Sequence, residues 1–253
     1  HSNPNLKSVK LKAKIFYKIN QLLFNITKSQ IDKIITVNQA SCTFLSSHYN
    51  INKEEIEIIP LGYDATVFKY IKEKKNTQKD TLILGFAGKI NEAKNLELLL
   101  SVISNMNNVE CKIVGLNENE LSKYQKKLLT AEYDKVNFYP LIKDTKKLAE
   151  FYNEIDVAVF PGSISITTIE ATGCGTPIIL YKSMDGLENR VENGRGYLFN
   201  TKKELTKIIE NYKIIKQKSA INNQEIEKNT TQYSWKTIGQ RYLNIYQKLL
   251  DNK

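Results

Sequence analysis

The chain has 253 residues, which is enough for one large domain or for one domain with part of another. Hydrophobic residues make up 41% and charged residues 25% of it, a composition typical of a folded globular protein, and no apolar run approaches the length of a membrane span. The net charge of +10 favours anionic partners such as phosphates, membrane surfaces or nucleic acid, although a lysine-rich composition gives a solvated surface the same charge.

The few cysteines and histidines argue against disulfides and against a zinc site. The three cysteines form neither an even set nor a metal-binding spacing, so we expect a reducing compartment and a cytoplasmic protein. The two histidines are too few for a histidine-rich zinc site. No signal-peptide pattern is present, because lysines alternate with apolar residues from Leu6 to Lys18. Since the sequence starts with His1 and not with methionine, we expect a fragment or a processed product.

The first predicted element is a long, basic, amphipathic helix over residues 6–28, where lysines interleave with apolar side chains. Two interpretations stay open. In the first, the helix packs against a neighbouring domain. In the second, it lies on a membrane surface, attracted by anionic lipid, and the protein is membrane-associated.

A short strand, helix and strand come next, predicted over residues 33–37, 39–48 and 56–59. A turn follows at residues 60–64. The segment 72–80 is charged, contains no apolar residue and predicts an exposed linker.

From residue 82 onward, apolar β-branched strands alternate with helical patterns. This alternation predicts an α/β fold with a doubly wound parallel sheet, followed by C-terminal helices. In such a sheet, ligands bind beyond the carboxyl ends of the strands. The predicted strands are 82–87, 110–114, 136–138, 157–160, 178–180 and 196–199, and the predicted helices are 94–105, 118–130, 145–153, 165–172, 202–216, 222–227 and 235–250.

The most informative stretch is residues 157–180, which reads as strand, turn, helix and strand. Pro161 and Gly162 break the first strand, and Ser163 or Ser165 is predicted to cap the helix. Free backbone N–H groups at the turn favour an anion, and Glu170, predicted about two turns into the helix, would accept hydrogen bonds from a sugar's hydroxyl groups. These features predict a nucleotide-sugar pocket.

Each of these residues also has a purely structural interpretation. Glu170 is otherwise a favourable partner of the helix dipole, but its small and apolar neighbours indicate a packed helix in which a carboxylate needs a ligand or partner. Cys174 is predicted to be a packing residue, because no histidine lies nearby in sequence to activate it.

A second stretch, residues 85–95, places Lys89 and Lys94 around the loop that follows a strand. Two lysines there would neutralise a diphosphate and stabilise the charge on a departing nucleoside diphosphate. The alternative is two solvated lysines. The glycine spacing fits neither a P-loop nor a dinucleotide fingerprint.

Taken together, the motifs resemble the group-one glycosyl transferases (family four), which are retaining enzymes of the GT-B fold. The resemblance covers residues 30–250, mainly the family's C-terminal, Rossmann-like half. The motifs are Ile59-Pro-Leu-Gly-Tyr-Asp64 with Phe68, Gly88-Lys89 with Lys94, Ile113-Val-Gly115, Phe160-Pro-Gly162, Glu170-Ala171, Gly175-Thr-Pro177, Tyr233-Ser-Trp235 and Ile245-Tyr246.

The resemblance implies residue roles. Lys89 and Lys94, the candidate catalytic residues, would hold the donor's diphosphate, and Glu170 would hold its ribose. The backbone of residues 165–167 (Ser165, Ile166 and Thr167) would meet the phosphates, and the loop 138–142 would contact the base.

The remaining donor-binding candidates are Gly88, Leu141, Gly162 and Ser163. Gly162 is a departure from the family, which has a glutamate eight positions before the residue matched by Glu170. That glutamate approaches the donor sugar, so Ser163 or Ser165 is expected to substitute for it as a hydrogen-bonding group.

We therefore expect a remnant of the acceptor domain at residues 1–65, a donor-binding domain at 66–230 and a helix at 231–253 that packs back toward the N-terminal part. The implied function is transfer of a hexose from a nucleoside-diphosphate sugar to a sugar or lipid-linked acceptor, with retention and without metal or cofactor, in polysaccharide or glycoconjugate synthesis. No nucleic-acid partner is expected. The alternatives are a partner-dependent, non-catalytic binding subunit and a nucleotide-sugar epimerase.

Overall fold

The computed structural model describes residues 11–74, 80–117, 135–183, 185–217 and 221–251. The chain forms two compact units. The smaller unit comprises the described parts of residues 1–61, 184–186 and 236–253, and the larger unit comprises those of residues 62–183 and 187–235. The predicted roles of segments 1–65, 66–230 and 231–253 stay predictions.

The described elements follow the predicted order closely. The strands are β1 (Ile34–Thr36), β2 (Ile56–Ile58), β3 (Leu82–Ala87), β4 (Val109–Leu116), β5 (Val136–Pro140), β6 (Val157–Phe160), β7 (Ile178–Tyr181) and β8 (Gly196–Phe199). The helices are α1 (Leu11–Thr27), α2 (Gln39–Tyr49), α3 (Leu96–Ile103), α4 (Thr145–Glu154), α5 (Thr167–Gly173), α6 (Glu188–Val191), α7 (Lys202–Gln217), α8 (Asn223–Thr230) and α9 (Trp235–Asp251). The helix predicted at 118–130 lies outside the described residues.

The larger unit is built on a six-stranded sheet in the order β5-β4-β3-β6-β7-β8, with every neighbouring pair parallel. The prediction of a doubly wound parallel sheet is therefore confirmed. The strand order reverses between β3 and β6, which lie side by side. Sheets of this kind bind ligands in a crevice outside the carboxyl ends of the strands at such a switch point, and we use the word crevice for this place.

The central strands are buried on both faces, as their apolar, β-branched sequences predict. One buried ion pair fixes the opposite end of these strands from the crevice. Lys216 Nζ lies 2.5 Å from Asp156 Oδ2 and donates to the Thr81 carbonyl at 2.6 Å, while the same carboxylate accepts the Ile83 N–H at 2.7 Å. Removing one member would leave the other charge buried and unpaired, so this cluster ties α7 to the starts of β3 and β6.

Two local predictions about α5 were wrong. The residue before the helix is Ile166, which makes no side-chain cap, so neither Ser163 nor Ser165 caps it. The Ser165 hydroxyl instead lies 2.5 Å from the Thr167 hydroxyl. Because α5 begins at Thr167, Glu170 lies in its first turn and not two turns in.

In the smaller unit, α1 has apolar side chains on two faces. Tyr17 and Phe24 form edge contacts with Phe44 and Tyr49 of α2, and β1 pairs in parallel with β2 beside them. The other face of α1 is a stripe of six large apolar side chains, each 51–66% exposed: Ile15, Phe16, Ile19, Leu22, Leu23 and Ile26. None of the helices in the described parts of the chain is both long and apolar enough to span a membrane.

Candidate functional site: the crevice between two strand ends

The loops after β3 and β6 are bound directly to each other. Because these strands are parallel neighbours, their carboxyl ends lie at the same edge of the sheet. The Ser163 N–H donates to the Ala93 carbonyl at 2.7 Å, and Lys94 Nζ donates to the Ser163 carbonyl at 2.7 Å. A third, longer bond runs from the Asn95 side-chain amide to the Pro161 carbonyl at 3.5 Å. The crevice edge is therefore a cross-linked pair of loops.

Gly162 makes this close approach possible. A Cβ atom added there would lie 2.2 Å from the Ala93 carbonyl oxygen and 2.7 Å from the Lys94 carbonyl carbon, and both of these are backbone atoms. Real Cβ atoms do not approach backbone so closely, so any side chain at Gly162 would push the two loops apart. The glutamate that the resemblance predicts at this position would be incompatible with this packing.

Lys94 is the buried cation of the site. It ends a short 3-10 helix over residues 92–94, and only 8% of it is exposed. Burial lowers the pKa of its ammonium group, because the charged form loses water. One of its three N–H donors is held by the Ser163 carbonyl. The other donors are available for an anion, which would compensate for the lost hydration.

Lys89, the other candidate catalytic residue, lies at the start of the same loop and is exposed. Within the described parts of the chain, it forms no hydrogen bond or ion pair with residues 161–166. Among the described residues, Lys94 is therefore hydrogen-bonded to the loop after β6, and Lys89 is not.

The segment that leads into α5 presents unused backbone donors. The N–H groups of Ser165, Ile166 and Thr167 make no hydrogen bond to any residue that the structure describes. Their carbonyl groups behave differently, since those of Ser165 and Ile166 accept bonds from the first turn of α5. The three residues are half-buried and begin two positions after Ser163, which Lys94 contacts.

Glu170 is a half-buried carboxyl group in the first turn of α5. Desolvation raises its pKa from 4.5 to about 7, because burial penalises the carboxylate. A carboxyl group with this pKa changes its ionisation readily near neutral pH. Hydrogen bonds from a ligand's hydroxyl groups would favour the carboxylate form.

The neighbouring strand ends complete the edge. Gly88 and Gly115 adopt φ angles of +154° and +135°, which favour glycine. A Cβ at Gly115 would lie 1.8 Å from the Gly88 carbonyl oxygen, and the Gly88 N–H donates to Val114 at 3.1 Å. Leu141, which is exposed, donates its N–H to the Leu116 carbonyl at 3.0 Å. The loops after β3, β4 and β5 therefore lie side by side.

Sequence reasoning missed the backbone of Ala93 and the side chain of Asn95. The carbonyl of Ala93 accepts the Ser163 N–H, which no residue-type pattern reveals. Asn95 has a φ of +50° before α3, and an asparagine directly before an apolar helix was a usable signal for this left-handed turn.

Among the described residues, no group of three or more histidine, cysteine, aspartate or glutamate side chains lies together in a way that could hold a metal ion. The groups that the described part of the crevice presents are a buried ammonium, backbone N–H groups and one carboxyl group. Metal-independence stays a prediction.

A parallel sheet that reverses its strand order beside unused hydrogen-bond donors is an α/β architecture in which ligands bind at the switch point. The sequence pattern of the glycosyl transferases group 1 matches residues 67–232, which is more than half of the chain. The chain therefore belongs to this family, and the predicted resemblance is confirmed.

Similar proteins agree with this assignment. D-inositol 3-phosphate glycosyltransferase from Arthrobacter sp. is 26% identical over 179 residues, covering 64% of this chain and 42% of the relative. Among solved structures, sucrose-phosphate synthase from Thermosynechococcus elongatus superposes with a TM-score of 0.76 at 17% identity, covering 98% of this chain and 65% of that one. Alr3699/HepE from Anabaena, in complex with UDP and glucose, gives 0.72 at 18% identity, covering 92% and 67%. The chain thus spans less than half the length of the Arthrobacter relative.

Proposed function

We propose that this chain binds a nucleoside-diphosphate sugar at the crevice between β3 and β6 and serves as the donor half of a glycosyltransferase. The observation that carries the proposal is the buried Lys94 ammonium, held 2.7 Å from the Ser163 carbonyl at the switch point of the sheet. Membership of the glycosyl transferases group 1 gives the reaction class.

The donor's parts match the groups at the crevice. The diphosphate lies against Lys94 and the free N–H groups of residues 165–167, with Lys89 reaching in from the exposed side. Glu170 accepts hydrogen bonds from the ribose, and the main chain around Leu141 meets the base. Gly88 leaves the diphosphate room beside the end of β3.

In the proposed reaction, the acceptor hydroxyl attacks the anomeric carbon of a hexose from the face that the nucleotide leaves. The bond between that carbon and the diphosphate oxygen breaks, the proton of the acceptor hydroxyl passes to the departing diphosphate, and configuration is retained. Lys94 and Lys89 stabilise the negative charge that collects on the departing diphosphate, so the step needs neither metal nor cofactor. The proposed setting is the synthesis of a polysaccharide or glycoconjugate.

UDP is the first nucleotide to test, because the Anabaena structure holds UDP and glucose. Relatives with transferase names, such as the Salmonella typhimurium lipopolysaccharide 1,2-N-acetylglucosaminetransferase, support a transferase over a binding-only subunit. The epimerase alternative receives no support from the family.

A thermal-shift series with UDP, GDP, ADP and their sugars tests donor binding without an acceptor. One nucleotide and its sugars should raise Tm by about 5 °C at a ligand concentration 100 times Kd, since only the folded state binds. AMP and free phosphate serve as controls for unspecific anion binding. If none of the diphosphates stabilises the protein more than these controls, the proposed function is wrong.

The acceptor side of the proposal includes contact with an anionic membrane surface through α1. The exposed stripe of six apolar side chains suits the lipid interface, and residues 1–31 contain no acidic residue. Lys18 and Lys28 are exposed on the same helical segment, where they would meet anionic headgroups. Such a position would bring a lipid-linked acceptor to the protein.

Co-sedimentation with vesicles tests this contact. The protein should pellet with phosphatidylglycerol-containing vesicles but not with pure phosphatidylcholine, and salt should weaken binding. Replacing Leu22 and Leu23 by glutamine should reduce binding about tenfold or more, because apolar burial is lost. Ile214→Gln is the control, since this residue is 50% exposed but lies on α7. Equal pelleting of all three proteins would contradict the contact.

A further inference from the structure

Gly162 is the position at which the family resemblance predicts a glutamate, and its surroundings point to a task of its own. The three heavy atoms nearest to its Cβ position all belong to backbone, with the Ala93 oxygen at 2.2 Å and the Lys94 oxygen at 2.8 Å. Because backbone atoms cannot swing aside as the end of a flexible side chain would, a side chain here would require the backbone of one of the loops to move. The absence of a side chain is therefore a condition for the contact between the loops.

The contact that Gly162 permits consists of two hydrogen bonds between the loops, one donated by each loop. The next residue, Ser163, donates its N–H to Ala93, and its carbonyl accepts from Lys94 Nζ, both at 2.7 Å. The backbone N–H and the backbone carbonyl of Ser163 are thus both hydrogen-bonded to the loop after β3. We refer to these two bonds as the Ser163 latch.

The latch fixes the Lys94 ammonium before any ligand arrives. A lysine side chain has four rotatable bonds, and ordering it during binding would cost affinity. Only one of its three N–H donors is used by Ser163, so the other donors can still reach phosphate oxygens. The bond to a neutral carbonyl does not cancel the positive charge.

We infer that Gly162 is a positioning residue for the donor's diphosphate: by excluding a side chain, it lets the Ser163 latch close and holds the Lys94 ammonium at the mouth of the crevice. The inference rests on the proposed function. A glutamate, which the resemblance predicts at this position, and the latch would exclude each other.

The test compares Gly162→Ala with the wild-type protein by titration with UDP and, separately, with uridine. UDP affinity should fall about tenfold or more, because a charge-assisted contact is misplaced. Uridine affinity should change by less than about twofold, since base and ribose bind away from the latch. Gly239→Ala is the matched control, because an added Cβ would meet nothing within 4 Å apart from its chain neighbours and the backbone of its own helix. Circular dichroism confirms that each variant is folded at the working temperature.

Equal loss of UDP and uridine affinity would mean that Gly162 acts only on folding, and unchanged UDP affinity would mean that the latch does not position Lys94. Either result overturns the inference. If Gly162→Ala does not fold, amide hydrogen exchange of the wild-type protein tests the latch instead. The Ser163 N–H should be protected from exchange, whereas the N–H groups of Ser165 and Ile166 should exchange fast. Rapid exchange at Ser163 would overturn the latch. A wild-type protein that binds no nucleoside diphosphate contradicts the proposed function instead.

Discussion

Replacing Lys94 by alanine should weaken UDP binding by about a hundredfold or more, the largest effect that we expect from a single side chain. Charge-assisted hydrogen bonds contribute about 1.5–3 kcal/mol each, and two free N–H donors of Lys94 are available for phosphate oxygens. Burial strengthens these contacts, because little water competes at a residue that is 8% exposed. Isothermal titration calorimetry measures the affinity directly.

Two variants distinguish the proposed contact between Lys94 and the diphosphate from a general effect of positive charge. Lys203→Ala removes an exposed lysine at the start of α7 and should leave UDP affinity unchanged within about twofold. Lys94→Arg keeps the charge but changes its shape, and we expect an affinity between those of the wild type and Lys94→Ala. If Lys94→Ala bound UDP as tightly as the wild type, the proposed contact between Lys94 and the diphosphate would have to be abandoned.

The second large effect that we expect is the release of protons from Glu170 when UDP binds. Burial raises the pKa of Glu170 to about 7, so about half of the free protein carries a protonated Glu170 at pH 7. Ribose hydroxyl groups that donate to this carboxyl favour its ionised form and lower its pKa. UDP binding at pH 7 should therefore release up to about half a proton from Glu170, and affinity should rise from pH 6 to pH 8.

Titrations at pH 7 in buffers with different ionisation enthalpies measure the released protons. The phosphate of UDP also titrates near pH 6, so Glu170→Gln provides the baseline to subtract. This variant should show a smaller proton release and an affinity for UDP reduced about tenfold. The 2′-deoxy analogue of UDP should show the same reduction with the wild type. Identical proton release in Glu170→Gln and the wild type would exclude contact between Glu170 and the nucleotide.

The same group sets a pH dependence of stability in the unliganded protein. A raised carboxyl pKa means that the folded state holds the proton more tightly than the unfolded state, so the contribution to the free energy of unfolding falls as pH rises from about 4.5 to about 7 and is constant above. Glu170→Gln should accordingly be more stable than the wild type at pH 8, by on the order of 1–3 kcal/mol. Chemical denaturation at pH 4 and pH 8 measures the difference, which should shrink at the lower pH.

Local sequence patterns were sufficient to predict the sheet. Strands such as Val157–Phe160 and Ile178–Tyr181 are short, apolar and β-branched, and the sheet buries them on both faces as this composition requires. The parallel alternation alone also predicted the edge of the sheet at which we propose that a ligand binds. Elements of four residues, such as α6, carry too little periodicity to be predicted.

The details of the crevice were less accessible because they depend on contacts between distant segments. Lys94 and Ser163 are 69 positions apart, and no local signal shows that the backbone of Ser163 is bound on both sides. The predicted serine cap failed for this reason: the Ser163 backbone is committed to the loop after β3, and the Ser165 hydroxyl pairs with Thr167. Similarly, Gly162 read as a lost glutamate in the sequence, whereas the structure shows a glycine required by close packing.

A crystal structure of this chain with UDP tests the central claim most directly. We predict that the diphosphate lies in the crevice between the loops after β3 and β6, with a phosphate oxygen within about 3 Å of Lys94 Nζ and the ribose hydroxyl groups on Glu170. A nucleotide bound elsewhere, with Lys94 still bonded to Ser163 and no phosphate beside it, would contradict the account.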